Sequence, residues 1–235
     1  MDIESAKKKA RVAGLTYLLL LTAPFSLIYV PNRLIVRGDA TATAGNVLAH
    51  ETMFRLAIVN ELFTAVAFIF VGIALYRLLS DVNRTLAWLM VILGGVVCAP
   101  ITFVGVANEI AALAILRGSA YLSVFNKAQM DALAMTFLRL HGQGILVSEI
   151  FWGLWLLPFG LLVIRSGFIP KILGVLLIVN CFAYLAVSLT TLLVPQYVGF
   201  VDRWATIPET GELWIVLWLL IKGAKSQAVP VLATA

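Results

Sequence analysis

Six long apolar runs, separated by short polar stretches, limit what this 235-residue chain can fold into more than any other feature. They lie at about Val12–Pro31, Met53–Leu79, Leu86–Leu116, Ala132–Ile164, Ile172–Val194 and Pro208–Ile221. A helix needs about 20 predominantly apolar residues to cross the hydrocarbon of a bilayer, and the first five runs reach that length. Within hydrocarbon every backbone amide and carbonyl must find its partner inside the segment, which a helix achieves. The sequence therefore predicts an all-α, polytopic bundle of about six transmembrane helices. The third and fourth runs exceed a straight crossing, so they should tilt or extend beyond the membrane. The sixth is short and opens with Pro208, Glu209 and Glu212, where acids favour the positive end of the helix dipole. Pro24, Pro100 and Pro158 fall inside runs, where a kink is tolerated if neighbours satisfy the freed carbonyl.

Composition excludes the soluble alternative. Hydrophobic residues make up 62% and charged residues 12% of the chain, against about 45–50% and about 25% in ordinary soluble domains. A soluble helical protein would also need polar stripes at helical spacing, and most of these runs lack them. The first run follows the basic cluster Lys7-Lys8-Lys9-Ala10-Arg11, as a secretory signal does. Its apolar part, however, exceeds the usual length of about 7–15 residues. No small-x-small cleavage site occurs in Tyr29-Val30-Pro31-Asn32-Arg33, so the run reads as a retained anchor.

Cytoplasmic loops are enriched in Lys and Arg. With the N-terminus inside, the inner flanks hold Lys7, Lys8, Lys9, Arg11, Arg77, Arg84, Arg165, Lys171, Lys222 and Lys225. The outer flanks hold Arg33, Arg37, Arg55, Arg117, Lys127 and Arg203. This bias predicts both termini in the cytoplasm. Residues 1–225 read as one transmembrane bundle and residues 226–235 as a flexible C-terminal tail. The net charge of +5 is then a topology signal, and no basic face with aromatic readers supports nucleic-acid binding. Cys98 and Cys181 lie within runs and read as small apolar fillers. No CxxC or HExxH spacing is present, so neither a metal nor a cofactor is expected. The expected partners are the lipid bilayer and a small-molecule or lipid ligand.

The segment Asp39–Thr52 predicts a short surface helix capped by Asp39 or Thr41, with Ala44, Val47 and Leu48 on its apolar side. Polar groups inside the runs are more informative, because ionisable side chains in a bilayer are costly and face the bundle interior or a wet cavity. They are Glu61, then Asn108 and Glu109, then Arg139, His141 and Glu149, with Asn180 and Glu212 following. Alternating helix directions place Glu61, Asn108, Glu109, Arg139, His141 and Glu212 at similar depth in the outer half. These residues, with Gln143, are the candidate ligand pocket. His141, Glu109 and Glu149 are the candidate catalytic residues. At about 100° per residue, Arg139 shares a face with Gln143, and His141 shares one with Ser148. Arg139 requires a carboxylate partner, for which Glu109, Glu61 and Glu212 are available. Each of these groups also has a purely structural reading, as an ion pair or hydrogen bond between helices. Asn180 reads as inter-helix glue.

Several stretches resemble a bacterial family of multi-pass membrane proteins known only as a domain of unknown function. They are Arg33-Leu34-Ile35-Val36-Arg37-Gly38-Asp39 with Thr43, Ala44 and Asn46, then Leu138 to Gly144 around His141. Arg165 to Leu176 and Gly211-Glu212 ahead of Trp218-Leu219-Leu220 complete the set. The resemblance spans about Ala10 to Gly223 and implies a bacterial inner-membrane location; it carries no catalytic assignment. Three functional readings follow from the polar residues. The first is a binding protein for a small or lipidic ligand in an outward-opening pocket. The second is a membrane enzyme on a lipid or isoprenoid using His141 and a glutamate as acid and base. The third is a transporter or a membrane assembly partner.

Overall fold

The computed structural model describes residues 3–209 and 211–223; the expected tail at 226–235 lies outside them. Among the described residues, eight helices carry the fold and no strand occurs. They are α1 (Glu4–Leu34), α2 (Ala40–Ala49), α3 (Glu51–Leu79), α4 (Arg84–Arg117), α5 (Lys127–Ser166), α6 (Lys171–Leu193), α7 (Val198–Glu209) and α8 (Gly211–Ile221).

Five of them, α1 and α3 to α6, are long and apolar enough to cross a membrane. The chain is a membrane-protein helical bundle. At about 1.5 Å per residue, the 40-residue α5 is far longer than a bilayer's hydrocarbon core is thick. Its capped end must therefore stand clear of the membrane or tilt strongly. Of the predicted sixth pass, residues 211–221 form α8, which packs against α6 and α1, and α7 packs along α6. The end of α8 meets the start of α1, since a Cβ built on Gly223 would lie 3.5 Å from Lys7 Cα.

Caps and breaks follow local sequence. Asn83 accepts from the Leu86 amide at 2.9 Å and starts α4. Asn126 and Gln129 form a reciprocal capping box on α5. Asp39 caps α2 through the Ala42 amide at 2.8 Å. On α2, Ala44 and Val47 are buried together with Thr43, which is bonded to the Val36 backbone, and Leu48 is exposed. Helix α1 departs from regular α geometry around Pro24, with a tight turn at Leu19–Thr22 and a wide one at Phe25–Tyr29. A second wide turn, Ile92–Val96, precedes Pro100 in α4. Proline removes an amide and crowds the preceding turn, which is what such local rewinding accommodates.

Two apolar cores stack along the bundle. One, around Leu75, Met90, Trp155, Phe159, Leu177 and Leu219, draws on α1, α3, α4, α5, α6 and α8. The other, around Leu34, Val47, Phe54, Leu113 and Leu138, sits under α2. Lipid competes well for apolar side chains, so helix association in a membrane leans on close packing by small residues. Gly160 and Gly174 supply it at the α5–α6 crossing, where a Cβ on either glycine would lie 2.6 Å from the other's carbonyl oxygen.

Candidate functional site

Glu61, Glu109 and His141 meet where the two cores adjoin. They come from α3, α4 and α5, and are 2%, 5% and 6% exposed. His141 Nε2 lies 3.4 Å from Glu61 Oε1 and 3.7 Å from Glu109 Oε1. Neither ring nitrogen of His141 makes a hydrogen bond of good geometry among the described residues, nor does Glu61 Oε1 or Glu109 Oε2. The absence of a side chain at Gly105 is what lets the imidazole in, because a Cβ there would come within 3.2 Å of His141 Nδ1.

A second polar group forms between α1, α6 and α8. The Tyr17 hydroxyl of α1 donates to Glu212 Oε2, and Asn180 Nδ2 of α6 donates to Glu212 Oε1 at 3.2 Å. Glu212 sits at the N-terminal turn of α8, where backbone amides also favour a negative charge. Ser188 Oγ of α6 donates to Glu149 Oε2 of α5 at 3.5 Å.

A cavity of about 410 Å³ connects them. Its polar lining includes Glu61, Thr102, His141, Ser148, Glu149 and Glu212. Its apolar wall includes Leu20, Leu27 and Ile28 of α1, Phe68 of α3, and Trp152 and Trp155 of α5. The lining is mainly apolar with a few convergent polar groups, the usual chemistry of a small-molecule site.

The structure brings Glu61, Glu109 and His141 together, and sets Glu149 and Glu212 on the same cavity. It does not bring Arg139, Gln143 or Asn108 to them. Arg139 and Gln143 are exposed, each two residues from His141 and therefore about 200° around α5. The expected pairing of Arg139 with a glutamate is not made: no ion pair of Arg139 occurs among the described residues, and Glu61 and Glu109 face His141 instead. Asn108 turns back on its own helix, donating to the Val104 carbonyl at 2.9 Å. Tyr17, Thr102 and Ser188 were not foreseen. Tyr17 is the informative omission, a buried tyrosine in the middle of an apolar run whose hydroxyl needs a partner.

The fold and this polar interior define a polytopic α-helical membrane protein. Residues 12–223 match the family described as a domain of unknown function, DUF4386, and the chain belongs to that family. No curated protein and no solved structure matches it.

Proposed function

We propose that this protein binds a small or lipidic, amphipathic molecule in the cavity between α1, α3, α4, α5, α6 and α8. The observation that carries the reading is the cavity's make-up. It offers about 410 Å³ of mainly apolar space, with carboxylates at Glu61, Glu149 and Glu212 and an imidazole at His141. An apolar tail fits the wall of leucines and tryptophans, and a polar head fits the His141 end. A purely structural role in assembly would have the buried polar groups pair off and leave no space. Here the space remains, and Glu61, Glu109 and His141 keep atoms without hydrogen-bond partners.

The charge bias of the loops, together with the meeting of Gly223 and Lys7, supports both chain ends on the cytoplasmic side of a bacterial inner membrane. In that orientation the Glu61–Glu109–His141 group lies in the outer half, and the pocket opens outward.

Native mass spectrometry of the purified protein tests the reading, comparing wild type with His141→Ala and Glu149→Gln. The expected result is one co-purifying small molecule per chain, depleted in both variants. A wild type carrying no added mass, with variants that are only less stable, would return the polar residues to a structural role.

A further inference from the structure

We propose that Glu61, Glu109 and His141 form a binding site for one divalent transition-metal ion of the Zn²⁺ type, at the wall of the cavity. The inference deepens the ligand-binding reading and stands on separate observations. One ligand atom from each of the three residues lies within 4.8 Å of the other two. The His141 Nε2 separations of 3.4 Å and 3.7 Å are long for an N–H···O bond. They match the spacing of about 3.4 Å between two atoms each about 2.1 Å from one tetrahedral ion. The facing atoms, Glu61 Oε1 and His141 Nε2, have no hydrogen-bond partner among the described residues. Neighbouring carboxylates in a membrane interior are costly unless a cation balances them, and no Lys or Arg forms an ion pair with either among the described residues. A divalent ion would neutralise the pair.

Donor chemistry selects the ion. Imidazole with carboxylates suits Zn²⁺ and neighbouring first-row ions, whereas an all-oxygen set would favour Mg²⁺ or Ca²⁺. His141 Nδ1 packs against Gly105, where an added Cβ would lie 3.2 Å away, so the ring presents Nε2 to the two glutamates. Three protein ligands leave a fourth position open. Glu61 and His141 both line the cavity, so that position faces it and would accept an oxygen of the bound molecule's head.

The test uses full-length protein in detergent, stripped with chelator and titrated with Zn²⁺ alone by calorimetry, with bound metal counted by elemental mass spectrometry. The expected result is one Zn²⁺ per chain. Binding should weaken at least about tenfold in Glu61→Gln, Glu109→Gln and His141→Ala, since even outer-shell contacts are worth about 10–100-fold. His50→Ala, which removes the exposed histidine after α2, should bind as wild type does. Titration of wild type with Co²⁺ gives a second readout that needs no variant to fold: the intense visible absorption of a tetrahedral site. No stoichiometric Zn²⁺, a Co²⁺ spectrum of the hydrated ion, or binding lost only in His50→Ala would each overturn the site. If an organic molecule co-purifies while Zn²⁺ does not bind, the cavity reading stands and the metal site falls. Zn²⁺ bound without any organic molecule gives the reverse.

Discussion

Glu61 and His141 face each other across the bundle interior at 3.4 Å, from α3 and α5, with both side chains almost fully buried. Glu109 of α4 closes the group at 3.7 Å from the same nitrogen. Three helices are thereby tied at one level, between two cores that are otherwise apolar.

Removing His141 leaves two carboxylates facing each other with no positive or donating group between them. Breaking one partner out of a buried charged cluster costs about 3–5 kcal/mol. His141→Ala should therefore lower the melting temperature in detergent markedly. Adding Glu61→Gln and Glu109→Gln to that variant should recover part of the loss, as differential scanning fluorimetry would show.

Arg139 lies two residues away on the opposite side of α5 and is exposed. Arg139→Ala should lower stability by no more than about 0.5 kcal/mol, and removing a charge that faces out of the bundle beside the intramembrane His141 favours a gain rather than a loss. A loss as large as that of His141→Ala would mean Arg139 is the partner of a buried glutamate after all.

Tyr17→Phe deletes the hydroxyl that donates to Glu212 and leaves the ring in place. Hydrogen bonds between membrane helices average about 0.6 kcal/mol and reach about 1.7, and the burial of Tyr17 places this one in the upper part of that range. The expected cost is about 1–2 kcal/mol in reversible denaturation. Glu212→Gln leaves one acceptor oxygen for two donors, Tyr17 and Asn180, and should cost a similar amount.

Gly160→Ala would put a methyl group 2.6 Å from the Gly174 carbonyl oxygen. The neighbour is backbone, so α5 and α6 would have to separate. Overpacking of this kind costs about 1–3 kcal/mol. Gly142→Ala, with open space around the new carbon, should be close to neutral in the same assay.

The fold was legible because length and apolarity alone decide which segments can cross a bilayer. Boundaries were less so: α1 begins well before Val12 because its basic first turns are still helical, and hydropathy does not register amphipathic turns outside the hydrocarbon. The final pass, read as Pro208–Ile221, is helical over Gly211–Ile221, and Val198–Glu209 before it is helical as well; Asp202 and Arg203 interrupt the apolar run there, so hydropathy alone does not extend it. In the site, Glu61, Glu109, His141, Glu149 and Glu212 stood out as ionisable residues in apolar runs. Which of them meet depends on how each helix is rotated against its neighbours, and packing at residues such as Gly105 and Gly160 sets that. Arg139 was misjudged for this reason. The metal-type constellation left no spacing motif because each ligand comes from a different helix.

The central claim is that the cavity holds a molecule. Thr102→Phe tests it most directly, because it fills the cavity with a ring while leaving every glutamate and His141 in place. Mass spectrometry of solvent extracts from equal amounts of purified wild type and variant should show a small or lipidic molecule near one per chain in wild type and far less in the variant. Equal amounts in both, or none in wild type while the variant is more stable, would mean that the cavity is a dry packing void.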